Sequence, residues 1–454
     1  MNEKEKRGVF SGRLGFVLAA AGSAVGLGNI WRFPYLAAKY GGGAFLLVYI
    51  ILAFTFGYTM IMSETALGRM TKKSPVGAYS TFSKKKLVRA GGWINAVIPM
   101  LIVPYYSVIG GWVCRYLFGY ISGETTALAQ DGNFEAFLGK PMLMEVCFLV
   151  FAILTMLVIF GGVENGIEKV SRIMMPILAA LTVIVVIYSV TRPGAMAGVK
   201  YFLIPSFKNF SLMTVVSALG QLFYSLSIAM GILITYGSYT KDDVNIESTT
   251  AQVEIFDTAI AILAGLMIIP AVFAFSGGDA AALNKGPALM FITLPKVFDS
   301  MGGAPFGILF FLLVLMAALT SSVSLAESAC STFQDELHWS RPKSAALVTG
   351  IMVVLGTLSC LGFNILSGVT PLGMDFLSFF DFLTNSVMMP LAAAATCLLV
   401  LFVIGLDNME AEIMRTSAFK RRGIYRFVIK YLSIIMLAAI LISSILDALG
   451  LIHI

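Results

Sequence analysis

Residues 22–34 read GSAVGLGNIWRFP, from Gly22 to Pro34, within an apolar stretch that is otherwise long enough to cross a membrane. The stretch breaks a helix. Gly22, Gly26 and Gly28 each cost about 1 kcal/mol relative to alanine in a helix interior, and Pro34 removes a further backbone bond. A helix broken at membrane depth leaves N–H and C=O groups without water, which is tolerated only where they are buried in protein or line a cavity. Freed groups of this kind are where transporters hold ions and substrates.

The rest of the composition fits that setting. Hydrophobic residues make up 58% of the 454, charged residues 12%, and the mean hydropathy is +0.89, far too apolar for a chain solvated mainly by water. Apolar runs of roughly 20 residues place spans near 14–37, 41–68, 90–120, 143–161, 172–190, 211–237, 251–275, 303–333, 344–363, 376–404 and 427–449, eleven in all. The loop 69–89 carries seven basic residues and no acidic one, and 415–430 carries Arg415, Lys420, Arg421, Arg422, Arg426 and Lys430. Both read as cytoplasmic by the excess of basic residues on that side. The N-terminus is then cytoplasmic and, with an odd number of spans, the C-terminus extracellular. This bias accounts for the net charge of +6 without a nucleic-acid partner. The charged start followed by Ala19-Ala20-Ala21 superficially resembles a secretory leader, but cleavage there would delete the glycine break.

Cys114, Cys147, Cys330, Cys360 and Cys397 are scattered through or beside apolar spans without metal-ligand spacing and read as packed thiols. His338 and His453 fall in a loop and at the terminus, so neither a zinc site nor histidine catalysis is expected. The chain has no GxxxxGK[ST], and GLGNIW lacks the third glycine of a dinucleotide loop. No nucleophile and base, metal cluster or cofactor motif speaks for an enzyme.

A second interruption about 200 residues after the first supports two repeats. Gly220–Gly231 reads GQLFYSLSIAMG, with Ser225, Ser227 and Gly231 among apolar neighbours. The organisation expected is a tail 1–13, a five-helix repeat 14–190, a linker 191–210, a second, inverted five-helix repeat 211–404, and a loop with an eleventh helix over 405–454. The connection 276–300, with Gly277, Gly278, Gly286 and Pro287, reads equally as a lid or as a plain surface loop.

GSAVGLGNIWRFPY followed by Gly41-Gly42-Gly43-Ala44-Phe45, GQLFYSLS in the sixth span, ITLP at 292–295 and LTSSVSLAE at 319–327 together resemble the neurotransmitter:sodium symporter family over nearly the whole chain. The resemblance implies an all-α polytopic fold of eleven transmembrane helices with 5+5 inverted repeats, in the bacterial inner membrane, with the first and sixth helices unwound at the midplane. It implies sodium-coupled symport by alternating access and two sodium sites. The first would use the carbonyls of Gly22, Val25 and Ala317 and the hydroxyls of Thr320 and Ser321. Ala317, Thr320 and Ser321 also share one helical face by spacing. The second would use the Ala24 carbonyl, Asn29, Ser225 and the substrate carboxylate. Asp257 stands where the family has an asparagine. Many animal members need chloride to balance sodium, so this carboxylate is expected to make chloride unnecessary. An ionisable group within a span is in any case a functional candidate.

For the substrate, the resemblance assigns the α-carboxylate to the amides of Leu27 and Gly28, at a helix start that favours an anion, and to the Tyr106 hydroxyl. The ammonium would meet groups near Ala24, Tyr224, Ser225 and Ser227. Gly26 stands where amine transporters have aspartate, so the substrate keeps its own carboxylate. A side-chain pocket of Val25, Ile102, Tyr224, Met230, Ser322 and Leu325 argues for neutral hydrophobic amino acids, aromatic ones included. Arg32 and Asp381 resemble an outer gate pair, and Arg7 and Asp335 an inner one beside Phe10 and Tyr239. Gly166 and Pro176, with nine residues between them, resemble the motif at which the fifth helix unwinds. The alternatives are a carrier of a small zwitterion or osmolyte on the same fold, and a substrate-sensing receptor.

Overall fold

The computed structural model describes residues 8–278, 289–300 and 302–448. Among them the chain is helical, its one β-type pairing being an isolated bridge between Gly42 and Pro205. The first break is seen directly. Helix α1 (Arg13–Ala24) and α2 (Gly28–Lys39) meet at a 49° bend. There follow α3 (Gly43–Thr71), α4 (Lys86–Ile121), α5 (Pro141–Phe160) and α6 (Val163–Val190). The short α7 (Leu212–Ser225) and α8 (Ile232–Ser238) come next. The later long helices are α9 (Ile246–Ser276), α10 (Ala304–Leu337), α11 (Arg341–Leu361), α12 (Phe376–Ile404) and α13 (Arg422–Ser443). Nine of these described helices are long and apolar enough to cross a bilayer, and the bent pair α1 and α2 makes a tenth.

Burial separates a centre from a rim. About three-quarters of the apolar windows of α4 and α10 is buried, against about a third to two-fifths for α6, α11 and α13. The inner helices are therefore sealed by protein, and the outer ones turn apolar side chains such as Val354 and Ile435 outward to lipid. Small residues set the closest contacts. A Cβ on Gly68 would lie 2.0 Å from the Ile234 carbonyl oxygen, and one on Gly237 would lie 2.3 Å from that of Thr65. The backbones of α3 and α8 thus touch, as small residues allow between membrane helices.

Two expectations are adjusted. The fifth helix starts at Val163 rather than 172, because the polar run Glu164, Asn165 and Glu168 forms a wide π-helical turn rather than a loop. Hydropathy alone could not extend the helix through two carboxylates. The linker 191–210 is partly helical, with Ala195–Leu203 packed so closely on α9 that a Cβ on Gly198 would sit 2.7 Å from Pro270. Of the candidate lid, Gly286 and Pro287 lie outside the described residues, as do Arg7, His453 and the chain beyond 448.

Candidate ion and substrate site

Two interruptions of helical backbone face each other at the centre. After Ala24, Val25 turns extended (φ −75°, ψ 96°), and helical backbone resumes at Gly28. After Ser225, Ser227 and Ala229 adopt φ of 54° and 60°, before Gly231 at 69° opens α8. Non-glycine residues in this region cost about 1–3 kcal/mol each and persist where surroundings hold them. The holding contacts are on hand. The Ala229 N–H donates to Glu64 Oε1 (2.9 Å), the Ser227 hydroxyl to the Ser23 carbonyl (3.0 Å), and Gln221 Nε2 to the Gly28 carbonyl (2.9 Å). The two breaks are stitched to each other.

The glycines of the first break are demanded by neighbours. A Cβ on Gly26 would lie 2.5 Å from Ser321 Oγ and 2.8 Å from the Tyr106 hydroxyl, and one on Gly28 would lie 2.5 Å from the Tyr224 ring. Backbone and side-chain oxygens approach here closely enough to share a small ligand.

On one side, the Ser321 hydroxyl lies 3.4 Å from the carbonyls of Gly22 and Val25 and 3.0 Å from that of Ser23. The Thr320 hydroxyl lies 3.1 Å from the Ala317 carbonyl. Of the groups expected around the first sodium, Gly22, Val25 and Ser321 are brought together, with Ser23 added, while the Thr320 hydroxyl bonds back along its own helix to Ala317.

On the other side lies a fully buried carboxylate, Asp257. It accepts from Asn29 Nδ2 (2.7 Å), from the Ser225 hydroxyl (2.9 and 3.0 Å) and from the Tyr49 hydroxyl (3.2 Å). Among the described residues no basic side chain pairs with it. Burying an unpaired charge costs several kcal/mol, so this oxygen-rich cluster suits a hard monovalent cation. No group of three histidine, cysteine or carboxylate side chains that could hold a metal occurs among the described residues. Tyr49 was not anticipated. Nothing in GAFLLVYIIL marks it beyond one hydroxyl among apolar neighbours.

Between the breaks lies a cavity of about 20 Å³. Of the expected residues Ala24, Gly26, Gly28, Ile102, Tyr106, Tyr224, Ser227, Met230 and Leu325 line it, joined by Ser23, Ile232 and Ser321. The Leu27 amide donates to the Tyr106 hydroxyl at 3.1 Å, so the two groups assigned to one carboxylate do meet. Four expected residues do not line the cavity. The Val25 carbonyl faces Ser321, Leu27 presents its amide, and Ser225 turns to Asp257. Ser322 bonds Thr155 at 2.9 Å, on the side of α10 that packs on α5.

The residues expected to form gates meet other partners in this conformation. Arg32 and Asp381 form no ion pair in this conformation. The guanidinium lies 5.5 Å from the Tyr224 ring centroid, while Asp381 accepts from Tyr105 (3.1 Å) and from Asn385. Near the start of α1, Phe10 packs edge-on against Tyr236 and Tyr239, with centroids 5.4 and 6.0 Å apart. Asp335 accepts from the Ser74 amide at 2.6 Å. The Tyr239 hydroxyl donates to Glu327 (2.7 Å), which Arg341 grips through two nitrogens (2.9 and 2.6 Å). Glu327 and Glu64 were missed, although each is a buried carboxylate inside an apolar span, the signal that singled out Asp257. Pro176 lies within α6 and Gly166 in its first, π-helical turn.

The sequence model described as the sodium:neurotransmitter symporter family matches residues 7–129 and 134–451. The chain is 35% identical over 441 residues to an uncharacterized sodium-dependent transporter of Bacillus subtilis, covering 95% of this chain and 96% of that one. It is 27% identical over 456 residues to the sodium- and chloride-dependent taurine transporter of Bos taurus, covering 89% and 72%. The crystal structure of MhsT in complex with L-phenylalanine superposes with a TM-score of 0.88 at 35% identity, covering 96% of this chain and 100% of that one.

Proposed function

The chain belongs to the sodium:neurotransmitter symporter family, a multi-pass membrane transporter and not an enzyme, and from that premise we propose that it carries neutral hydrophobic L-amino acids inward with sodium, without chloride. The observation that carries the reading is Asp257. A buried carboxylate beside Asn29 and Ser225 supplies the negative charge that balances a cation, the task chloride performs where that site is neutral. Sodium is cargo at two sites, one between Gly22, Val25, Ala317, Thr320 and Ser321, the other between Ala24, Asn29, Ser225 and Asp257. The substrate carboxylate completes the second, so ion and substrate strengthen each other's binding and together shift the inward/outward equilibrium.

The substrate carboxylate meets the amides of Leu27 and Gly28 and the Tyr106 hydroxyl, and its side chain lies among Ile102, Tyr224, Met230, Ile232 and Leu325. The apolar lining and the L-phenylalanine bound by the similar MhsT support a hydrophobic side chain. A cavity of about 20 Å³ has room for about one water, so any amino acid enters only when the lining shifts, and a small zwitterion, which asks for the smaller shift, is the second reading. Met230 can repack around larger groups.

The architecture of this proposal counts α1 with α2 as the first span and α7 with α8 as the sixth, giving eleven helices in two inverted five-helix repeats. The basic loops 69–89 and 415–430 place the N-terminus in the cytoplasm. Gly166 and Pro176 let the inner end of α6 unwind, admitting water to the sodium at Thr320 and Ser321.

The test is uptake of a panel of radiolabelled amino acids and osmolytes into proteoliposomes under an inward sodium gradient, with chloride replaced by gluconate. Accumulation of leucine, tryptophan or phenylalanine is expected. Accumulation of glycine or a betaine alone would favour the second reading. A chloride requirement would overturn the role of Asp257.

A further inference from the structure

Glu168 lies outside both ion clusters and the cavity, yet it is 2% exposed and its carboxylate is shared by two exposed residues, Ser11 and Arg172. Its carboxylate accepts the Ser11 amide at 2.8 Å and the Ser11 hydroxyl. Arg172, one turn on, pairs with the same carboxylate (2.6 Å) and donates to the Ser11 hydroxyl (2.7 Å). From the opposite side the Ser11 carbonyl accepts Lys241 Nζ at 2.8 Å, and the Phe10 amide donates to the Tyr239 carbonyl at 3.1 Å. The segment before α1 is thus clipped between α6 and the turn after α8.

The carboxylate also lies flush on α1. A Cβ on Gly15 would fall 2.3 Å from the Glu168 carboxyl carbon, so that glycine makes room for the clip. Glu168 closes the π-helical turn Val163–Glu168 that contains Gly166, the turn assigned above to unwinding. The rim packing is tight as well, a Cβ on Gly166 falling 2.2 Å from the Val158 carbonyl oxygen.

We propose that Glu168 is the positioning residue that couples the two moving parts of the cytoplasmic gate: when the first turn of α6 unwinds, the carboxylate is withdrawn from Ser11 and the segment carrying Phe10 is freed. The inference rests on the unwinding reading above and adds to it the link to the N-terminal segment. A carboxylate suits the task because charge-assisted hydrogen bonds are strong and directional, yet fall away once distance exceeds contact.

Hydrogen exchange followed by mass spectrometry on the full chain in nanodiscs tests this. In the unmodified protein, sodium with substrate should slow exchange in residues 8–15 and 163–172 together. In Glu168→Gln, residues 8–15 should exchange about ten-fold faster in sodium, the scale of one lost charge-assisted hydrogen bond, while 163–172 keeps its sodium response. A residue with a purely structural role would loosen both segments alike. Gly15→Ala displaces the carboxylate without altering it and should reproduce the effect. Ser11→Ala, at an exposed position, should do so in part even if the other two variants fail to fold. Exchange of residues 8–15 at the unmodified rate in the variants that fold would overturn the proposal. Sodium-driven uptake measured alongside separates the two readings, since its absence in the unmodified protein overturns symport, and its presence with unchanged exchange overturns only the coupling.

Discussion

Asp257→Asn separates a charge-balancing carboxylate from a merely packed one. The side chain keeps its size and can still accept from Asn29 or Ser225, which now contact Asp257 at 2.7 and 2.9 Å, so the cluster should survive. What is lost is the charge. A sodium ion held by Asn29 and Ser225 would sit roughly 4 Å from the carboxylate, where a unit-charge attraction at an effective dielectric of about 20 is about 4 kcal/mol. Uncompensated, that is about 1,000-fold in sodium affinity. The assay is binding of a radiolabelled substrate to detergent-solubilised protein across sodium concentrations, in gluconate and in chloride. Half-saturation should move to much higher sodium in gluconate and partly recover in chloride. Thermal unfolding without sodium provides a check of opposite sign. Because a buried, unpaired charge has been removed, the variant should then be the more stable protein, while gaining less from added sodium. An unchanged sodium half-saturation together with unchanged stability in sodium-free buffer would refute the reasoning.

Tyr106→Phe removes the hydroxyl that meets the Leu27 amide at 3.1 Å; a hydrogen bond to a charged group contributes about 1.5–3 kcal/mol, so substrate affinity should fall about 10- to 100-fold with little change in melting temperature. Met230→Ala enlarges the cavity at its apolar side, and competition assays should show a several-fold shift in preference from leucine toward tryptophan. Gly26→Ala places a Cβ 2.5 Å from Ser321 Oγ and should abolish substrate binding in a protein that still inserts and purifies as a monodisperse species. Pro176→Ala should slow sodium release and transport turnover while leaving equilibrium substrate binding near its original value; unchanged turnover would refute the hinge at α6.

How legible each feature was depended on whether its physics is local. The break at Gly22–Pro34 could be read because glycine and proline act on their own backbone, and the second break was found by its matching position in GQLFYSLS. Thr320 and Ser321 follow from helical spacing together with the family resemblance. Asp257 stood out because a carboxylate within a span is costly wherever it points. The same rule covers Glu64 and Glu327, but the Ala229 amide that meets Glu64 lies 165 residues on, and Arg341 meets Glu327 only because the chain turns back after α10. That Arg32 and Asp381 form no ion pair is a property of conformation. Arg32 lies over Tyr224, and Asp381 is taken by Tyr105 and Asn385.

By itself, then, the sequence determined that this chain lives in a bilayer, where its helices are interrupted, and which residue types the interruptions offer to a cation and a zwitterion. These follow from apolar run length, helix propensity and the cost of unpaired polar groups in lipid. Only the tertiary structure decided which groups converge. Tyr49 reaches Asp257 from a separate helix, Ser322 turns away to Thr155, and Glu168 closes on Ser11 across 157 residues of chain. A side chain's rotation about its helix and the neighbour it meets are set by the packing of all the helices together, and no local pattern encodes that.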